Sequence, residues 1–556
     1  MRLRFSASMV MRARARAALF DAHSKPRMIG RLASAALGLA AAFLPLGPAL
    51  AQDTGLLRMQ QQLINERKLA DDRELQLLRR QEDLRDSLQA QLDAAKRGGN
   101  AASARISTLT RQLAETTKEE RRLVDQILER DPASKILFAD LDAELAQLSV
   151  DVPPAFRSAI TQFGRGQRLQ AWPAIEAGAA RGSAREKRIA ARLRTIMFNF
   201  QDAGVTAQDV RSRWEAALKA DPTNAVALSG LADAEQYLGH IDAGLSLLAK
   251  AASGNASPQQ RYLIAWQRAA LASRLQKPEV MIPLLRDELA AGRALNNRST
   301  SAAGMKWAEA QILSMLAAYL QMTGKIDDAL ASYSEAAGLL VELNREAPTW
   351  RFVDDTLAGT LFAKATLEAQ LSKVDQALTT YRGAIELLTR RIAAVPEDAA
   401  QSQTLLAQAY TNSCNLHLYR SEYSEALPLC LNALKAENRI PQSAARDATL
   451  ASDTLFVSRL LNAAGRPTEA RDLFKTGVAL WRGLAVASKT PFSLAGYASA
   501  IHEEALFDTS VCWSEVAAAW KALGQEASLN QQQDQLYLQA RLMSDRIPCG
   551  RAASPH

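Results

Sequence analysis

The sequence predicts an all-α protein in which an N-terminal coiled coil or helical hairpin precedes a long array of helix pairs. Three observations predict it. Alanine, leucine, glutamine and arginine dominate a chain that is 48% hydrophobic but only 6% aromatic, a composition of helix formers. Strand-favouring runs of valine, isoleucine and threonine are nearly absent. Small residues recur at helical spacing over much of the 556 residues, which points to internal repeats.

In chain order, residues 1–51 read as a cleavable export signal. From Arg31, "RLASAALGLAAAFLPLGPALAQ" has a basic residue, an apolar run and small residues before Gln52. Pro45, Pro48 and polar Gln52-Asp53 come too soon for a membrane span, and no cysteine follows the cut to take a lipid. Met28 to Ala51 is already a complete signal, so either Met1 or Met28 can be the start. The segment carries eight basic residues against Asp21, so +7 of the formal +8 charge leaves with it. The mature chain is near neutral, which removes the charge argument for nucleic acid or anionic membrane. The expected location is the bacterial periplasm, with no integral membrane segment after cleavage. The remaining basic cluster, Arg181 to Arg194, reads as a solvated helix face.

Residues 52–131 form the coiled coil or hairpin. Ile106, Leu109, Leu113, Thr116, Glu120, Leu123 and Ile127 alternate in steps of three and four, one seam of a heptad. Leu56, Leu63, Ala70, Leu77 and Leu84 recur every seven, followed by Leu88 and Ala95. Gly98 and Gly99 end the first helix. The pattern allows an antiparallel hairpin or a segmented parallel coil that makes the protein a homo-oligomer. Residues 132–153 are a linker with a short helix, closing at "DVPP".

Residues 154–541 read as repeats. Ala329, Tyr333 and Ala336 lie four and three apart on one helix face. The pattern returns as Ala377, Tyr381, Ala384, as Ala426, Cys430, Ala433 and as Ala470, Phe474, Gly477, with leading residues 48, 49 and 44 apart by subtraction. Pro348, Pro396 and Pro441 close three units, and Ala317, Ala365 and Cys414 supply a small residue on the preceding helix. Upstream, Trp214, Ala217, Leu218 and Pro222 precede Leu231, Ala232, Gly239, Gly244 and Ala251. Residues 253–299 and those after 484 are degenerate. Residues 542–556 are a tail.

This pattern resembles the tetratricopeptide repeat family, with its small residue midway in helix A, glycine at the turn, and Ala-aromatic-Ala in helix B. The usual period is 34, so the helices here are extended by roughly one to two turns each. The resemblance implies a right-handed α-solenoid whose concave face is lined by A helices and contacts partner segments. By register that face carries Ser229, Asp233, Gln311, Met315, Phe362, Thr366, Asn412, Asn415, Tyr419 and Arg459, of which Gln311, Met315, Phe362, Asn412, Asn415, Tyr419 and Arg459 are the partner-binding candidates. Its amides and apolar pockets suit an extended or helical segment. In this register Cys414 and Cys430 face each other within one unit, and Cys512 with Cys549 would tie down the tail; buried thiols are the other reading.

No catalytic, cofactor-binding or metal-binding residue is assigned. Five histidines lack partners at metal spacing, and no HExxH, GxSxG or GxGxxG motif occurs. Gly324-Lys325 lacks the earlier glycine and following hydroxyl of a phosphate loop. The expected role is a non-catalytic scaffold for protein partners of the cell envelope, in envelope or cell-wall assembly. The alternative is an accessory subunit of a secretion or polysaccharide-export system at the outer membrane.

Overall fold

The computed structural model describes residues 72–97, 103–128, 130–133, 135–136, 153–164, 167–199, 201–254, 256–296, 302–347, 350–394, 399–508 and 510–547. The export signal, Leu56, Leu63, Ala70, the turn at Gly98, most of the 132–153 linker, Pro348, Pro396 and Cys549 lie outside them. Among the described residues the regular elements are helices. They belong to two compact units, Met1–Ala347 and Pro348–His556.

The first unit opens with α1 (Asp72–Arg97) and α2 (Ser103–Leu128). They pack antiparallel: Leu88 and Leu92 meet Leu109 and Leu113, Arg85 meets Glu120, and Glu74 meets Arg130. This is the hairpin arrangement. Its seam on α1 is Leu78, Arg85, Leu88 and Leu92, all buried, whereas Leu77 and Leu84 are 38% and 48% exposed. The heptad through Leu77 and Leu84 is therefore the outer stripe of α1. Glu120 can sit in the seam because the Arg85 guanidinium donates to it at 2.6 Å, both side chains being fully buried. Such a pair fixes register, since sliding either helix would strand a charge in an apolar seam.

Ten helices follow in A/B pairs: α3 (Pro154–Gly164) with α4 (Arg168–Arg181), α5 (Ala184–Asn199) with α6 (Ala207–Ala220), α7 (Ala225–Tyr237) with α8 (Ile241–Ser253), α9 (Pro258–Ala272) with α10 (Pro278–Asn296), and α11 (Ala302–Met322) with α12 (Ile326–Glu346). The second unit pairs α13 (Arg351–Gln370) with α14 (Val374–Ala394), α15 (Ala400–Tyr419) with α16 (Tyr423–Glu437), α17 (Ala444–Ala463) with α18 (Pro467–Ser488), and α19 (Pro491–Phe507) with α20 (Trp513–Glu526). A last helix, α21 (Gln531–Arg546), packs on α20, so the tail begins after Arg546 and not at 542. Within each unit the pairs stack as a tetratricopeptide-like α-solenoid of extended repeats. Helices α7 and α8 have 13 residues each and α11 and α12 have 21, which accounts for the long period.

All four triplets read from the sequence are buried. The structure adds the units the sequence left unplaced. Met281, Leu285 and Glu288 hold the same places in α10, and Val516, Trp520 and Leu523 hold them in α20; all six are buried. Small residues are needed where backbones approach. A methyl group on Gly477 would stand 2.8 Å from Leu455 and 3.2 Å from the Ala451 carbonyl oxygen, well inside van der Waals contact.

Helices α7, α11, α13, α15 and α17 end in the same turn. The residue seven beyond the small A-helix position is left-handed: Gly239, Gly324 and Gly465 at φ 84°, 76° and 76°, but Ser372 and Ser421 at 60° and 61°. The next amide donates back to the last turn of helix A, as Lys325 does to Leu320 at 3.0 Å and Lys373 to Glu368 at 2.9 Å. Serine strains this backbone and glycine does not. Ser372→Gly and Ser421→Gly should each stabilise the second unit by about 0.5–1 kcal/mol, read as a rise in urea midpoint. In the hairpin, Arg85→Met alone should cost about 3 kcal/mol, and adding Glu120→Leu should restore most of it; equal loss in single and double variants would disprove the pairing.

Candidate functional site

In the second unit the candidate residues gather around Tyr381 of α14. Its ring is buried between α13 and α15. The Asn412 side-chain amide donates to its hydroxyl at 2.9 Å, the Thr366 hydroxyl lies at 2.8 Å, and the Phe362 ring meets it edge-on at 5.7 Å. Burial pushes the phenol up to about 12, so it stays neutral and works as a hydrogen-bonding rivet. Phe362, Thr366 and Asn412 are thus half-buried and held by the fold.

The same face of α15 continues into solvent. Asn415 is exposed and Tyr419, four residues on, is 78% exposed. Three and seven residues beyond Asn412, these extend its stripe. Arg459 does not join them. Its guanidinium pairs with both carboxylate oxygens of Glu503, at 2.6 Å for the first, and braces α17 against α19.

In the first unit Gln311 and Met315 are exposed four residues apart on α11, with Met322 open seven further on. Ser229 and Asp233, expected on the same kind of face, are buried instead. The Ser229 hydroxyl donates to the Gln267 side-chain oxygen, whose amide donates to Asp233 at 3.4 Å. Burial pushes the Asp233 carboxyl well above the usual range, although the Gln267 bond pulls the other way. This network ties α7 to α9.

Several members of the basic cluster are also committed internally. Arg194 stacks on the Trp172 ring at 4.7 Å and reaches Asp209 at 3.4 Å, and Arg188 reaches Asp221 at 3.8 Å. Among the described residues no group of three His, Cys, Asp or Glu is placed to hold a metal ion, and no helix is long and apolar enough to cross a membrane.

Cys414 and Cys430 form a disulfide across α15 and α16, with Cα atoms 5.4 Å apart. Cys414 stands at the small A-helix place and Cys430 at the aromatic place of the triplet. A covalent bond here replaces the packing that Tyr381 supplies in the preceding repeat. The pairing of Cys512 with Cys549 lies outside the described residues.

No protein-family model matches the chain, and no curated protein matches it. Among solved structures it is similar to BtubC from P. vanneervenii, with 17% identity over 50% of this chain and 89% of that one and a TM-score of 0.31. It is also similar to the C-terminal part of a tetratricopeptide repeat-containing protein from Cytophaga hutchinsonii, with 12% identity, 52% and 100% coverage and a TM-score of 0.35. The apo form of RapI gives 12% identity, 69% and 99% coverage and a TM-score of 0.37. The repeat assignment rests on the helix pairs and their triplets.

The disulfide closes a loop of 16 residues in sequence separation, a length at which removal costs about 3 kcal/mol. Cys414→Ala with Cys430→Ala should lower the stability of the second unit by that amount. A thiol reductant at the unfolding midpoint should then affect the natural chain much more than the variant.

Proposed function

We propose that this chain is a non-catalytic protein-interaction scaffold of the bacterial periplasm. It would bind an extended or helical segment of a partner through its A-helix faces, in the service of envelope or cell-wall assembly. The observation that carries this reading is the division of labour on the A helices. One side of each is consumed by the triplets, while Asn415 and Tyr419 on α15, and Gln311 and Met315 on α11, stand open. An amide beside an aromatic or thioether suits a peptide, hydrogen-bonding its backbone and covering its side chains.

The location is supported by the signal-like N-terminus and by the Cys414–Cys430 disulfide, which suits an oxidising compartment. Self-association through α1 is supported by Leu77 and Leu84, seven apart and outward.

A photo-crosslinking residue at position 415, introduced in cells, followed by capture from envelope fractions, tests the reading. At least one envelope protein should be enriched, and Tyr419→Ala should reduce its recovery roughly tenfold or more. Enrichment of an outer-membrane pore would favour a secretion or polysaccharide-export role. If no protein depends on Tyr419, the scaffold reading loses its surface.

A further inference from the structure

The aromatic place of the last helix pair is filled by Trp520 of α20, which is fully buried and shares one apolar cluster with Ala498 and Ile501 of α19 and Ala540 of α21. Like Tyr381 in α14, it carries a polar group into the core, and that group must be met there. Tyr381 is met by Thr366 and Asn412, which keep their donors and acceptors at any ordinary pH. Trp520 is met by a group that titrates. Its indole Nε1–H donates to Nδ1 of His502 on α19 at 3.2 Å, and His502 is itself 4% exposed. The Trp513 ring, at the start of α20, stands nearly perpendicular to the imidazole at 5.3 Å.

The bond fixes the state of the imidazole. An indole nitrogen can only donate, so Nδ1 is the unprotonated nitrogen and the ring is neutral. A proton on Nδ1 would set two donors against each other in a place closed to water. Trp520 also turns its N–H edge, the positive rim of the indole, toward the imidazole, so it gives a cation there no π-face to rest on.

Charged groups on the surrounding helices are directed elsewhere: Glu503 to Arg459 of α17, Glu515 of α20 to Arg482 of α18, Asp508 to Lys475 of α18, and Arg541 of α21 to the Tyr537 ring. Glu504, two residues on from His502, is pushed up first by burial and then by Asp508, while Lys475 and Arg482 pull the other way. Two influences act on the imidazole itself. Burial lowers its proton affinity and Gln539 of α21 opposes this with a smaller effect; among the described residues no charged group joins them.

We propose that His502 is an acid-sensitive clasp on the last three helices, holding α20 and α21 to α19 while Nδ1 accepts the Trp520 N–H and loosening them once that nitrogen takes a proton. Opening would uncover the buried side of α20, which carries Val516, Trp520 and Leu523.

The sign follows from proton linkage. The closed state keeps the imidazole neutral, whereas in the open state, exposed to water, it takes a proton near its ordinary value of 6.5. Closure is therefore at full strength above about pH 6.5 and weakens as pH falls below it, by up to about tenfold in the opening equilibrium per pH unit. Glu504 acts with the opposite sign, since its raised carboxyl favours the closed state on acidification.

Hydrogen exchange on the full chain between about pH 7.5 and 5, corrected for intrinsic rates, tests this. Amides of residues 516–523 should lose protection as pH falls, with a slope approaching tenfold per unit, while those of residues 381–388 in α14 of the same unit keep theirs. His502→Asn, which puts a carbonyl oxygen in the place of Nδ1 without a titrating group, should flatten or reverse the slope. Deuteration at the histidine C2 carbon of the natural chain, read by mass spectrometry, needs no variant and decides the matter if His502→Asn does not fold: His502 should titrate below 6.5. A titration at or above that value, as an imidazolium stabilised by the two indoles would give, overturns the clasp. So does unchanged protection of α20 on acidification, the same slope in His502→Asn, or equal loss at residues 381–388. No partner is needed, so the outcome is separable from that of the scaffold reading.

Discussion

Two helices can approach only as closely as the side chains between them allow, and that limit organises both units. In α6, α12, α14 and α18 the B helix presents two small or trim residues flanking an aromatic one, and the larger one must find room on a neighbouring A helix. The accommodation is visible at glycine. The Trp214 indole of α6 occupies the space where Gly230 of α7 would carry a Cβ, and Trp481 of α18 does the same at Gly496 of α19. Bulk on one helix is matched by absence on the next, so each pair depends on its neighbour for a complete core. The left-handed turns follow from the same constraint, because only a tight reversal keeps the facing positions in register.

The rule explains which parts of the fold were legible. Where the triplet is Ala-Tyr-Ala, composition and spacing both announce it. In Met281-Leu285-Glu288 and Val516-Trp520-Leu523 only the spacing survives, since those places require burial and fit more than particular residues. The candidate surface was legible in register but not in availability. Nothing local to Arg459 reveals that Glu503, 44 residues on, will take its guanidinium. Nor does the sequence around Asp233 reveal Gln267. Register says which way a side chain leaves its helix; the partner that meets it is a matter of tertiary structure.

The hairpin's seam on α1 departs from the heptad through Leu77 and Leu84 for a related reason. A charge at a seam position breaks an apolar pattern, and on α1 the true series Leu78, Arg85, Leu92 contains such a break while the outer series Leu77, Leu84 does not. On α2, Glu120 was equally out of place. The two departures explain each other, since each charge is tolerable only opposite the other. Paired violations across a hairpin are thus a signal of register, provided both strands of the pattern are read together.

That logic separates the remaining departures. Cys430 breaks the aromatic place and is answered by Cys414. Glu288 breaks a small-residue place, and burial alone pushes its carboxyl up. A repeat array gains nothing in stability from that choice, because alanine would fit the place without a desolvation penalty.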